Sequence, residues 1–243
     1  LKSVAIPEGV TEIGEGAFKD CESLETVMIP GGVTVIGEEA FQGCKSLKSV
    51  EIPGSVAEIG ARAFYNCKSL KSVSIPEGVT MIDSYTFQDC ASLKSVAIPE
   101  GVTEIGTSAF SGCKSLKSVA IPEGVTEIGA CAFYNCKSLK SAAIPEGVTW
   151  IGSKSFENCK SLESAAIPGS VTVIGKEAFR GCKSIRISGS TPSAISKAAL
   201  ADMLPERIWV ENLESLEPAL KPAAVLAFAE DPSGSDQRRA SHL

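Results

Sequence analysis

The stretch IPEGVTEIGTSAFSGCKSL, Ile98 to Leu116, is followed by IPEGVTEIGACAFYNCKSL, Ile121 to Leu139, so nearly the same text returns after 23 residues. Outward from this pair, Phe18, Phe41, Phe64, Phe87, Phe110, Phe133, Phe156 and Phe179 keep the interval. So do Cys21, Cys44, Cys67, Cys90, Cys113, Cys136, Cys159 and Cys182, and the series Ile6 to Ile167, Pro7 to Pro168 and Ile13 to Ile174. One unit reads L-x-S-V-x-I-P-x-x-V-T-x-I-G-x-x-A-F-x-x-C-x-S. A single unit has no means of enclosing its own Leu, Val, Ile, Phe and Cys, whereas stacked copies bury all five in continuous columns. The period therefore predicts a solenoid of eight copies over residues 1–187.

Within a copy, Val4 and Ile6 alternate with Ser3 and Ala5, the period-2 pattern of a strand with one buried face, and Pro7 ends it by removing a ladder donor. Val10 to Ile13 is rich in β-branched residues and predicts a second brief strand, after which Gly14 allows a corner. Glu15 to Lys19 predicts a single helical turn. The position before each cysteine holds Asp20, Gly43, Asn66, Asp89, Gly112, Asn135, Asn158 or Gly181, the residues that best tolerate a left-handed backbone, so this position is expected to close that turn.

The motif I-P-E-G-V-T-E-I-G-x-x-A-F-x-x-C-x-S-L at 98–116 and 121–139 resembles the BspA-type leucine-rich repeat family, and the resemblance covers Leu1 to about Ile187. It implies a leucine-rich-repeat solenoid: a β-rich α/β, curved, right-handed coil with short strands and single helical turns. It also implies the family's setting on bacterial or protozoan cell surfaces, in adhesion to host or neighbouring-cell proteins. The copies here are unusually alike, which fits recent tandem duplication or consensus design.

Past Ile187 the period is lost. Residues 188–230 are expected to form a non-repetitive, mainly helical C-terminal cap, with a helix over Thr191 to Leu204 that starts at a Thr cap followed by Pro192. Arg207 to Val210 reads as one more strand, and Leu213 to Glu230 has a helical pattern restricted by Pro218 and Pro222. The polar, Ser-rich residues 231–243 are expected to be disordered.

The 243 residues are 44% apolar and 21% charged, ordinary globular composition, and the net charge of -6 argues against a nucleic-acid surface or an anionic membrane as default partner. No stretch approaches the apolar length of a membrane-spanning helix, and none resembles a signal peptide. The chain begins at Leu1, in mid-repeat and without Met, and reads as a fragment or processed product.

Nine cysteines invite a metal or disulfide reading, but no C-x-x-C or C-x-x-H pair exists and the regular eight fall one per copy. A stack of buried free thiols is expected, because parallel neighbours keep their Cβ atoms about 4.8 Å apart, beyond the usual reach of a disulfide. Cys131 stands in a column otherwise filled by Gly16, Glu39, Arg62, Tyr85, Ser108, Lys154 and Glu177, and is expected at the surface. A nucleophilic role for it needs a base, and the only histidine is His242 in the tail. Recurring acids such as Glu8, Glu77, Glu100, Glu123 and Glu146 lack the Asp- and Gly-rich loops of calcium repeats. The lysine columns beginning at Lys45 and Lys48 read as the basic part of a soluble surface of mixed sign rather than an anion site. No catalytic residues, cofactor or metal are expected, and the Arg207, Trp209, Glu211, Glu214 and Glu217 group shows no recognised catalytic spacing.

A non-catalytic protein-binding scaffold is therefore expected, and the resemblance to the BspA-type family implies that it is secreted or at a cell surface. The alternative is a purely structural spacer or consensus-designed scaffold without a dedicated ligand. The outward column of the first strand, Ser3, Thr26 and Ser49 onward, is small-residue and lacks the anchors that concentrate binding energy. Individuality appears in the column Glu12, Val35, Glu58, Met81, Glu104, Glu127, Trp150 and Val173. Candidate contact residues are Trp150, Met81, Glu104, Glu127 and, on the helical side, Tyr85. For Trp150 the plain alternatives are drift at a tolerant position and packing against the C-terminal segment.

Overall fold

The computed structural model describes residues 2–187 and the strand Arg207–Val210. Each copy contributes two short strands. The first series is β1 (Ser3–Ala5), β3 (Thr26–Met28), β5 (Ser49–Glu51), β7 (Ser72–Ser74), β9 (Ser95–Ala97), β11 (Ser118–Ala120), β13 (Ser141–Ala143), β15 (Ser164–Ile167) and β17 (Ser184–Ile187). The second is β2 (Glu12–Ile13), β4 (Val35–Ile36), β6 (Glu58–Ile59), β8 (Met81–Ile82), β10 (Glu104–Ile105), β12 (Glu127–Ile128), β14 (Trp150–Ile151) and β16 (Val173–Ile174).

All pairing is parallel and steps by one repeat: Ser3 lies opposite Thr26, Val4 opposite Val27, and Glu104 opposite Glu127. The first series is hydrogen-bonded in three segments, β1-β3-β5, β7-β9 and β11-β13-β15-β17, the last extended by β18 (Arg207–Val210), and the second in two, β2-β4-β6 and β8 to β16. The step changes at the end. Ala166 faces Arg186 and Ile167 faces Ile187, a shift of 20 residues, because three residues are missing between Cys182 and Ile187. The normal step returns in β18 (Arg207–Val210), whose Arg207 pairs with Ser184 and Val210 with Ile187. The strand read from Arg207 to Val210 is therefore present. The helices expected over 191–204 and 213–230 and the tail 231–243 lie outside the described residues.

The single helical turn expected at Glu15 to Lys19 is not formed, and no helix occurs among the described residues. The backbone explains why. Two positions per copy adopt positive φ: the one before each cysteine, as at Asp20 (57°), Asn66 (61°) and Gly112 (73°), and a second one four residues earlier, as at Glu39, Arg62 and Cys131 (57° each). Left-handed residues at both ends leave no room for a continuous right-handed helix. The amides instead alternate in direction. Ala17, Lys19 and Cys21 N–H groups close tight turns onto Gly14, Gly16 and Phe18 carbonyls, while Gly16, Phe18 and Asp20 N–H groups donate to Glu38, Ala40 and Gln42 carbonyls of the next copy. Every amide is used, half of them to bind the turns together.

The core consists of columns. Phe41, Phe64, Phe87, Phe110, Phe133, Phe156 and Phe179 are fully buried, and successive rings from Phe18 onward stack with centroids 5.1–5.5 Å apart and planes within 14°. Phe18, Val4, Ile6 and Val10 of the first copy are only half-buried, since no turn precedes them among the described residues.

Candidate functional site

The second-strand register decides which outward side chains become neighbours. Met81 lies opposite Glu104, Glu104 opposite Glu127, Glu127 opposite Trp150, and Trp150 opposite Val173. These residues, one per copy and far apart in sequence, thus form a single stripe on β8 to β16. The strands alternate cleanly, with Ile82, Ile105, Ile128 and Ile151 inward and their predecessors outward. Trp150 leaves 49% of its surface in solvent, Met81 43% and Val173 37%. The neighbouring threonines stiffen the stripe, because Thr103, Thr126, Thr149 and Thr172 hydroxyls each donate to the carbonyl of the threonine one copy earlier.

Electrostatically the stripe is two carboxylates between two apolar ends. Glu104 and Glu127 face each other as like charges, and neither enters an ion pair among the described residues. Like charges directly opposite in a sheet destabilise it modestly. Among the described residues no ion pair offsets this repulsion.

Tyr85 does not join the stripe. It lies past the corner after β8, is half-buried, has a left-handed backbone (φ 63°), and its ring carries the Arg62 guanidinium at 4.9 Å from the centroid. Met28 is an exposed large apolar residue that the sequence reading passed over, 68% exposed on the first-strand face. Its column otherwise holds Ala5, Glu51, Ser74 and then alanine from Ala97 to Ala166, and one large apolar side chain among them was the available signal. Beside it, Ser49, Glu51, Ser72 and Ser74 line a shallow open hollow where β5 and β7 are not joined by the ladder.

The cysteines point to structure rather than chemistry. All nine are free, and Cys44, Cys67, Cys90, Cys113, Cys136, Cys159 and Cys182 are buried. Burial pushes the thiols of Cys44, Cys136 and Cys182 up to about 12, and raises those of Cys67, Cys90, Cys113 and Cys159 in the same sense. Cys131, expected at the surface, is half-buried. Its left-handed backbone (φ 57°) tucks the residue into the turn, and its N–H donates to the Ser153 carbonyl at 2.8 Å. Burial also raises its thiol, although the Lys154 charge opposes this, so it is not an activated nucleophile. Among the described residues no group of His, Cys, Asp and Glu is placed to hold a metal ion.

Stacked parallel turns with a continuous apolar interior and variation confined to outward columns define a repeat-protein scaffold. The profile of the BspA type leucine rich repeat region (6 copies) matches residues 1–117 and 80–202, and the chain belongs to that family. Among solved structures it is similar to the T. pallidum leucine rich repeat protein, with 32% identity over 74% of this chain and 76% of that one and a TM-score of 0.51. It is also similar to a leucine rich cell surface protein from Faecalibacterium prausnitzii, with 24% identity over 87% and 88% of the two chains and a TM-score of 0.50, a likeness of fold. No curated protein matches the chain.

Proposed function

We propose that the chain is a non-catalytic protein-binding scaffold, displayed at a cell surface or secreted, and that the Met81–Glu104–Glu127–Trp150 stripe is its contact surface. The contiguity of that stripe carries the reading. It combines a half-exposed indole, a flexible thioether and two uncompensated carboxylates on a rigid sheet, the mixture of anchor and polar group that concentrates binding energy. Stacked copies also favour weak contacts repeated along the axis. Family membership supports the extracellular setting.

The spacer reading keeps one observation in its favour, the bare Ser and Ala face of β9, β11 and β13. Immobilised extracellular-matrix proteins separate the two. The binding reading expects saturable capture that Trp150→Ala weakens about thirtyfold, the effect of losing an anchor worth about 2 kcal/mol. Equal capture by the wild type and by Trp150→Ala combined with Met81→Ala refutes the stripe, and no capture at all favours the spacer.

A further inference from the structure

Lysines begin two adjacent columns three residues apart, one running Lys45, Lys68, Lys114, Lys137 and Lys160, the other Lys48, Lys71, Lys94, Lys117 and Lys140. The fold makes the second column a true ladder. Lys71 N–H donates to the Lys48 carbonyl at 3.1 Å, Lys94 to Lys71 at 3.0 Å, Lys117 to Lys94 at 3.2 Å and Lys140 to Lys117 at 2.9 Å. Successive lysine backbones are thus held one strand spacing, about 4.8 Å, apart. The first column runs alongside through the same kind of bond, Ser69 N–H to Lys45 and Ser92 N–H to Lys68 carbonyls, both 3.1 Å. Together the columns carry about one positive charge per 2.4 Å of axis where both are filled, close to the charge density that gives duplex DNA its condensed counterions, one per about 1.7 Å.

The ladder also shows how it meets anions. In its first rungs Lys45 pairs with Glu22 at 2.7 Å and Lys48 with Glu25, each carboxylate sitting one copy back in the same column. Beyond Lys48 those columns hold no carboxylate until Glu163. Among the described residues Lys68, Lys71, Lys94, Lys114, Lys117 and Lys137 are all exposed and none enters an ion pair. The acidic column Glu77, Glu100, Glu123 and Glu146 lies past the far end of the first strand, so the two signs are segregated and not interleaved.

We propose that the paired lysine columns form a binding track for a linear sulfated polysaccharide. A polymer with anionic groups at a regular interval supplies, rung after rung, what Glu22 and Glu25 supply at the start. Sulfated glycan is favoured over nucleic acid because neither column contains an arginine or an aromatic ring for base stacking. The track is independent of the Trp150 stripe.

The test uses heparin as probe at low salt, about 50 mM, and then at about 200 mM. The wild type is expected to bind with a steep salt dependence. Lys94→Glu with Lys117→Glu should weaken binding at least about tenfold, and the control pair Lys19→Glu with Lys176→Glu, with the same change in net charge, should weaken it by less than about threefold. Thermal melting confirms that both variants are folded. No heparin binding at low salt, or equal losses in the two variants, overturns the track. Equal competition by single-stranded DNA, or by heparin stripped of sulfate, overturns the assignment to a sulfated glycan.

Discussion

The Cys113 thiol donates to the Phe87 carbonyl oxygen at 3.2 Å, across the boundary between two turns. That oxygen already accepts the Cys90 amide at 3.2 Å, so amide and thiol divide its two lone pairs. The same bond recurs from Cys44 to Phe18 through Cys182 to Phe156. Cysteine suits the position because it fills space like a small hydrophobe and also brings a weak donor. Cys113→Ala is expected to cost about 1–3 kcal/mol from the lost bond and cavity together, read as a lower urea midpoint. An unchanged midpoint removes the thiol bond as a contributor.

Alkylation of the folded protein provides a second check. Burial pushes Cys44 and Cys136 up to about 12, so the thiolate that reacts is scarce as well as shielded. Mass spectrometry after brief treatment with iodoacetamide should find label at the half-buried Cys21 and Cys131, and at the remaining cysteines only after unfolding. Rapid labelling of Cys113 in the folded state contradicts the packing described.

The phenylalanine stack invites a direct mutation. Phe110 is fully buried, with ring centroids 5.5 Å from Phe87 and 5.4 Å from Phe133. Phe110→Ala should lower stability by about 3–5 kcal/mol, because the cavity opens inside a column and both neighbours lose contacts. A shift of only a degree or two in melting temperature is incompatible with that column.

Glycine at the corner after the second strand has a position-dependent role. A Cβ added at Gly129 meets the Gly106 carbonyl carbon at 2.6 Å and the Thr107 nitrogen at 2.7 Å, whereas one added at Gly14 meets nothing. Gly129→Ala is expected to destabilise by about 1–3 kcal/mol and Gly14→Ala to be neutral or slightly stabilising. Asp83 occupies the same column, with its carboxylate accepting the Ser84 amide, so a backbone shift is available at a finite cost. Equal effects at the two glycines rule out inter-turn crowding as the reason for the residue.

Stability should fall at acid pH through the inter-turn carboxylates. Hydrogen bonds from Lys45 and Lys48, then the charges of those lysines, hold the Glu22 and Glu25 carboxyls below the ordinary 4.5. A depressed folded pKa means that the contribution is complete above about 4.5 and disappears as pH falls through the folded value. At the other extreme Lys45 is raised above 10.5 by its hydrogen bond to Glu22, so its contribution fades as pH climbs through the folded value. Melting curves from neutral to acid pH should show a decline that Glu25→Gln and added salt both flatten. A decline unchanged by either assigns the acid sensitivity elsewhere.

Periodicity alone was enough to place Phe18 to Phe179, Cys21 to Cys182, Ile6 to Ile167 and Pro7 to Pro168 in columns, because stacking is the way for so short a unit to hide its apolar residues. The Asp, Asn and Gly alternation before each cysteine likewise disclosed the left-handed backbone there. The second left-handed column was hidden, since Glu39, Arg62, Tyr85, Cys131 and Lys154 share no chemistry and only Gly16 hints at it. For that reason Glu15 to Lys19 has the sequence pattern of a helical turn that its backbone does not form.

What the chain's text settles by itself is which residues repeat and must therefore be neighbours, a consequence of burial that holds wherever the interior columns run. Tertiary structure alone decided the direction of each turn's amides and the shortened step before Ile187. It also decided the gathering of Met81, Glu104, Glu127 and Trp150 into one stripe and of the lysines into one charged face. These depend on register and backbone geometry between copies, which hydrogen bonds fix in space and no single repeat contains.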